Sequence, residues 1–362
     1  MTNDEGMTNC ESQITKGVGD LMKVLVIGGT RYMGRVAVQR LLDRGDSVTV
    51  FSRGRTKPEW WEQVESIVGD RDDREGFVKA LSGRTFDAVI DTQAFRKEDV
   101  EAADRALKGN VGRYLMVSTG SVYGDGKLDF LTHCPFRESD VDWTDLRYDY
   151  PEGESEYGVG KRHCEKWLIE NSSLEYTIIR IPAAMGWDDP TNRMWWWVQR
   201  VLDGKGIMLP EDHRSPFRTL FSEDAADNWI RAIDSPAVAN EVFHIATEEV
   251  LSPERWIGLM AEAAGVDCPI TWVPGRVIEK QADLKGYTPP MTRSWPYIHD
   301  LSKAISGFGM KTTPAAVWIE RTVAWYRNEY EGKDSSGYED RVIEVDLATQ
   351  WSEARNGLIG GF

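Results

Sequence analysis

Cysteine is scarce and scattered in this chain of 362 residues: Cys10, Cys134, Cys164 and Cys268 stand far apart, with no C-x-x-C. That excludes a disulfide framework and suits a reducing compartment. Histidine is as sparse. His133, His163, His213, His244 and His299 form neither H-x-x-x-H nor H-E-x-x-H, and the adjacent His133–Cys134 and His163–Cys164 pairs are poor geometry for one tetrahedral metal, so no metal is expected. No run of about 18 apolar residues occurs, so no membrane span is predicted. The start, "MTNDEGMTNCESQITKGVGD", lacks the basic-then-apolar order of a signal peptide. Residues 1–21 are expected to be a disordered extension, and the protein cytoplasmic. The absence of a G-x-S-x-G elbow sets aside an acyl-transfer triad. Positive charge is also in deficit, with 43 Lys plus Arg against 59 Asp plus Glu for a formal net charge of −16. Such a chain repels nucleic acid and anionic membrane on average, so neither is a favoured partner.

What is present is a regular alternation. "KVLVIGG" (23–29) is a continuous apolar run of the kind buried on both faces in a parallel sheet. "RVAVQRLLDRGD" carries a helical stripe, and "SVTVFSR" is a second strand, which makes a βαβ unit. Strands and helices then alternate through "VESIVGD", "REGFVKAL", "FDAVIDT", "EDVEAADRAL", "RYLMVST", a helix ending near Asn171, and "EYTIIRIP". The pattern predicts an α/β fold with a doubly wound parallel sheet over 22–185. Residues 186–330, richer in Trp, Asp and Pro, are expected to form mainly a smaller substrate-binding lobe. "EVFHIAT" (241–247) is a strand that can return to the sheet, and 331–362 is read as a C-terminal tail.

Two stretches point to chemistry. "GGTRYMG" (28–34) lies between the first strand and first helix, where backbone amides favour a pyrophosphate and glycine permits a tight turn at Gly28 and close packing at Gly34. Thr30, Arg31, Tyr32 and Met33 complete the turn. The second strand ends "VFSRGR", with Ser52 where an acid would bind the ribose of NAD and with Arg53 and Arg55 next. A guanidinium suits a 2′-phosphate, which favours NADP over NAD. Asp70 of "GDRDD" is placed to accept from an adenine amino group, with Arg71 beside it. The other stretch is "SEYGVGK", where Tyr157 and Lys161 stand one helical turn apart on one face.

In their order these motifs resemble the short-chain dehydrogenase/reductase superfamily, in its extended, NAD-dependent epimerase/dehydratase branch. "VIGGTRYMG" resembles the cofactor turn, "GDRDD" the adenine-contact motif and "MVSTGSVYG" (116–124) the strand bearing the catalytic Ser/Thr. "YGVGK" resembles the Tyr/Lys motif, "RIPAAMG" the strand after it, and "DLSKAISGFGMKTTPAAVWIERTVAWY" the closing segment. The resemblance implies a Rossmann domain, Tyr157 as general acid/base, Lys161 as the holder of the nicotinamide ribose, and Thr119 as the group that fixes the substrate oxygen. A lysine ammonium near a phenol favours its phenolate, the form that accepts a hydroxyl proton. It also implies a substrate among sugars or sugar nucleotides, with Ser121, Arg193 and Arg218 toward it. The branch's habit is a dimer through helices flanking the tyrosine helix.

Departures keep other functions open. Arg31 replaces the usual second glycine of the turn, as in atypical members, some of which handle RNA. Ala183 replaces an asparagine that contacts the sugar nucleotide. Gly120 and Ser121 replace the Asp-Glu pair of dehydratases, which weighs against 4,6-dehydration. Thr92 and Gln93 replace small residues near the cofactor. Besides an epimerase or oxidoreductase of sugars, the residues therefore admit an NADPH-dependent reductase of a non-nucleotide carbonyl, and a non-catalytic dinucleotide sensor or RNA-binding relative. The tryptophan run "MWWWVQR" (194–200) is read as core or a subunit contact, since consecutive positions cannot all face one way on a helix.

Overall fold

The computed structural model describes residues 21–124, 129, 131–141, 143, 146–149 and 155–359. The N-terminal extension expected over 1–21, Cys10 included, lies outside them but for Leu21. Strand β1 (Lys23–Ile27) leads into α1 (Tyr32–Arg44), β2 (Ser47–Ser52), β3 (Glu65–Val68), α2 (Arg74–Leu81), β4 (Phe86–Asp91), α3 (Lys97–Leu107), β5 (Val111–Thr119), α4 (Glu156–Asn171) and β6 (Tyr176–Ile181). Then follow β7 (Ala184–Met185), α5 (Arg193–Leu202), β8 (Ile207–Pro210), β9 (Leu220–Phe221), α6 (Ser222–Asp234), β10 (Glu241–His244), α7 (Pro253–Ala264), β11 (Ile270–Val273), α8 (Gly275–Ile278), α9 (Ser302–Phe308), α10 (Ala315–Asn328) and α11 (Arg341–Ile359).

Seven parallel strands form the main sheet in the order β10-β6-β5-β4-β1-β2-β3. Val24, Leu25, Val26 and Ile27 are all buried, as a strand covered on both faces requires. Val24 and Val26 pack toward α1 and α6, while Leu25 and Ile27 pack toward α2, α3 and α4. The winding reverses between β1 and β4. In open α/β sheets a ligand binds outside the C-terminal strand ends at such a reversal. The 241–247 stretch returns to the sheet, with β10 paired beside β6.

Around β7–β9 and β8–β11 a second core gathers Met194, Trp196, Trp197, Trp256 and Trp318. The tryptophan run is thus mainly core: Trp196 and Trp197 are buried, and Trp195 stacks on Tyr326. Within 331–362 the structure has the helix α11. Arg341 Nε donates to Asp203 Oδ2 (2.8 Å), Arg200 Nε donates to Glu344 Oε2 (3.0 Å), and Leu347 packs with Met208 and Val273.

Candidate active site

The first glycine of the turn is dictated by the backbone. Gly28 has φ +88, a conformation other residues adopt only with strain. A Cβ on Gly34 would stand 2.5 Å from the Gly28 carbonyl oxygen, so α1 begins in backbone contact with the end of β1. Arg31 is extended and exposed, no side chain caps α1, and its first turn holds no acid. Uncapped amides and the positive end of the helix dipole therefore meet at this point, an arrangement that accepts a phosphate. Thr30 and Met33 are half-buried here. Tyr32 turns its ring inward, where burial, reinforced by Asp189 and Tyr326, lifts its phenol well above the ordinary tyrosine range.

At the end of β2, Ser52 Oγ accepts the Gly54 N–H (3.2 Å), and Arg53 and Arg55 stand exposed. Asp70, beyond β3, is exposed and accepts the Asp72 N–H (3.0 Å). Arg71 turns inward instead. It lies over the Phe77 ring (3.8 Å) and donates to Asp91 Oδ2 (2.9 Å) and the Asp99 carbonyl (2.7 Å). All these residues sit at the C-terminal edge of the sheet.

The same edge carries Thr119, Tyr157 and Lys161. Thr119 ends β5, is almost fully buried, and its Oγ1 lies 3.3 Å from Ser121 Oγ and accepts the Ser121 N–H (3.1 Å). Helix α4 is pressed against this turn at Gly158, where a Cβ would come within 2.9 Å of the Ser121 carbonyl oxygen. Tyr157 is 47% exposed, whereas Lys161, one turn on, is 1% exposed. Lys161 Nζ donates to the Val117 carbonyl (2.7 Å) under the Phe95 ring (4.7 Å). Among the described residues that bond uses one of its three N–H groups. Phe95 also lies 6.1 Å from the Tyr157 ring.

A third wall comes from far along the chain. A Cβ on Gly120 would collide with the Tyr297 hydroxyl and stand 2.6 Å from His299 Nε2. The segment is fixed by backbone bonds from Phe136 N to Ile298 O (2.8 Å) and from Arg218 N to Tyr297 O (3.0 Å). Arg218 donates from NH1 to the His299 carbonyl and from NH2 to the Glu248 carbonyl (3.0 Å), and its buried Nε has no partner among the described residues. His299 is wholly buried, and neither ring nitrogen has a partner among the described residues. Burial first, then Arg218, Arg293 and Arg180, push its pKa down to about 3. Its neighbour His244 is also held neutral, chiefly by burial. The Asp300 carbonyl can only accept, so neutral His244 carries its proton on Nδ1 (3.1 Å), and Nε2 faces the Tyr123 hydroxyl (2.6 Å).

That hydroxyl accepts from Arg180 NH1 (2.7 Å), and Arg180 in turn pairs with Glu165 through Nε (3.0 Å) and NH2 (2.7 Å) with both side chains fully buried. Ser118, beside Thr119, donates to the same carboxylate. Arg193, by contrast, starts α5 and donates to Thr191 Oγ1 (2.7 Å), on the Tyr32 side of the cleft. Phe95, Tyr297, His299, Glu165 and Arg180 escape the motif reading. Phe95 had a signal, since it ends the atypical "DTQAF". Tyr297 and His299 directly precede "DLSKA", and nothing local places them opposite Gly120. Among the described residues, no cluster of three or more His, Cys, Asp or Glu is arranged to hold a metal, and no helix is long and apolar enough to cross a membrane.

The seven-stranded parallel sheet is the Rossmann-like fold of NAD-dependent enzymes of the short-chain dehydrogenase/reductase type, and the family match agrees with it. Residues 24–246 match the NAD dependent epimerase/dehydratase family, and the chain belongs to that family. It is 25% identical to the chloroplast stem-loop binding protein of 41 kDa b of Arabidopsis thaliana over 260 residues, 68% of this chain and 64% of that protein's length. It is 21% identical to the 2'-dehydrokanamycin reductase of Streptomyces kanamyceticus over 86% of this chain and 88% of the reductase. The structure of UDP-glucose 4-epimerase from Thermotoga maritima, solved with UDP-glucose, superimposes with a TM-score of 0.65 at 20% identity, covering 84% of this chain and 99% of the epimerase.

Proposed function

We propose that the protein oxidises or reduces a hydroxyl- or keto-bearing carbon of a sugar or sugar nucleotide, with NADP preferred to NAD. The observation that carries this reading is the buried Lys161 ammonium, with donors to spare among the described residues, one turn from the half-exposed Tyr157 and on a helix seated against the Thr119 turn. The residues fit a dinucleotide. The α1 amides and Arg31 would hold its pyrophosphate, Ser52 and Arg53 its ribose 2′-phosphate, Asp70 its adenine, and Lys161 the hydroxyls of its nicotinamide ribose. When bound, the nicotinamide supplies the acceptor or donor for the carbon's hydrogen and electron pair. Tyr157 takes the hydroxyl proton as the carbonyl forms and returns it in the reverse direction. Thr119 Oγ1 fixes the reacting oxygen, and Ser121 holds a neighbouring hydroxyl. The neutral His299 and the Tyr297 ring close the side opposite Gly120, which bounds the size of the group beside the reacting carbon.

A second reading, net reduction of a carbonyl that carries no nucleotide, is favoured by Ala183. The asparagine that would contact a sugar nucleotide is missing there, and the similar Streptomyces protein is a reductase. Incubation of UDP-glucose with NADP+ and, in parallel, of a keto sugar with NADPH separates the two. Equilibration to UDP-galactose with no net cofactor change supports epimerisation, and NADPH consumption with a keto sugar but not a sugar nucleotide supports the reductase. A protein that binds NADPH yet turns over no sugar or carbonyl, and binds RNA in a salt-sensitive manner, would refute both.

A further inference from the structure

We infer that Tyr32 and Asp189 are positioning residues: when the cofactor cleft is filled, the Tyr32 hydroxyl donates to the Asp189 carboxylate and ties the phosphate-accepting turn to the second core. This rests on the cofactor reading above.

Tyr32 is the first residue of α1, and Arg35 lies one turn on, on the same face. Opposite them runs the connection from β7 to α5. Arg35 NH1 stands 3.8 Å from Asp188 Oδ2, a loose contact beside the 2.6 Å bond from NH2 to Glu59. Asp189 is the next residue, and of the charges near Tyr32 its carboxylate acts most strongly on the phenol. Both sides of this junction hold strained backbone. Tyr32 has φ +47, and Asp188 and Asn192 each have φ +54, left-handed values that a non-glycine residue adopts at a cost.

The polar atoms there are complementary and unmatched. Asp189 is 3% exposed. Its Oδ1 accepts the Thr191 N–H (2.9 Å) and hydroxyl (2.6 Å), while its buried Oδ2 has no partner among the described residues. The Tyr32 hydroxyl is likewise buried and without a partner among them. Ser222 also acts on the phenol, weakly, and falls short of a hydrogen bond to it. The Tyr326 hydroxyl turns to the Gly186 carbonyl (3.4 Å). An unpaired buried donor and an unpaired buried acceptor each cost free energy, and one bond relieves both. The Tyr32 ring is still partly exposed. Filling the cleft excludes water from it, which strengthens a hydrogen bond to a carboxylate.

The test measures NADPH affinity by tryptophan fluorescence, and the urea midpoint, for the native chain and Tyr32→Phe, each also in an Asp189→Asn background. Asparagine keeps the Oδ1 bonds to Thr191 and removes the charge. In the free protein Tyr32→Phe should leave the urea midpoint unchanged or raise it, because its hydroxyl has no bond to lose. NADPH should bind Tyr32→Phe about 3- to 10-fold more weakly, and that ratio should shrink toward one in the Asp189→Asn background. A purely structural role would instead lower the midpoint of the free protein. Such a lowering overturns the inference, since it shows the hydroxyl already bonded, directly or through water, before the cofactor arrives. Undiminished affinity in Tyr32→Phe, or an equal loss in both backgrounds, overturns it too and leaves the cofactor reading intact. If the native protein binds no NADPH, both fall together.

Discussion

Glu165→Ala tests how the sheet edge beside Thr119 is supported. Arg180 and Glu165 are both fully buried, and Glu165 takes the Nε and NH2 donors of Arg180. After truncation Arg180 keeps only the NH1 bonds to the Tyr123 hydroxyl (2.7 Å) and the Glu138 carbonyl (3.0 Å). Among the described residues its charge then has no counter-ion in contact, and Ser118 loses its acceptor. Breaking a buried pair in this way costs about 3–5 kcal/mol. Urea denaturation followed by tryptophan fluorescence reads that loss directly. The control is the double variant Glu165→Leu with Arg180→Met, which removes both charges and fills much of the volume. It should recover most of the stability, because a buried pair is worth little against apolar packing. A Glu165→Ala loss under about 1 kcal/mol, or a double variant weaker than the single one, would refute the reasoning.

Two further predictions concern titration and cofactor choice. His299 titrates near 6.5 when unfolded and near 3 when folded. Its stabilising contribution is complete above about pH 6.5 and is lost as pH falls toward 3, amounting to about 2 kcal/mol by pH 5. Stability measured from pH 7 to 5 should therefore fall less steeply in His299→Phe than in the native protein, and parallel curves would remove the imidazole from the account. Arg53→Ala should weaken NADPH by about 10-fold, the value of a charge-assisted hydrogen bond, and leave NADH unchanged. Equal losses for both nucleotides would show that Arg53 does not read a 2′-phosphate.

The nucleotide half of the fold was legible because its signals are local. A parallel strand buried on both faces must be an apolar run, as "KVLVI" is, and the turn after it must begin with a residue that tolerates φ +88. The tyrosine helix ends at Asn171 as the sequence predicts, but its character was harder to read. Lys161, Arg162, Glu165 and Lys166 resemble a solvated face, yet all are buried, with partners supplied by β5, β6 and the segments that cross them. Helix α11 lay hidden for the same reason. Its Glu344 and Arg341 are satisfied by Arg200 and Asp203, well over a hundred residues upstream. Tyr297 and His299 reach Gly120 only through the tertiary fold. Arg71 sits in a motif that suggested the cofactor, and its charge instead braces Asp91.

The central claim is that Tyr157 moves the substrate proton. The most direct measurement compares Tyr157→Phe with the native protein in NADPH affinity and in turnover of the substrate found for it. Tyr157 is half-exposed, and no hydrogen bond from its hydroxyl supports the fold among the described residues. NADPH should therefore bind Tyr157→Phe within about twofold of the native protein, while turnover falls by roughly 10²–10⁴-fold, the usual contribution of a general acid/base. Full turnover by a Tyr157→Phe protein that still binds NADPH would contradict the account.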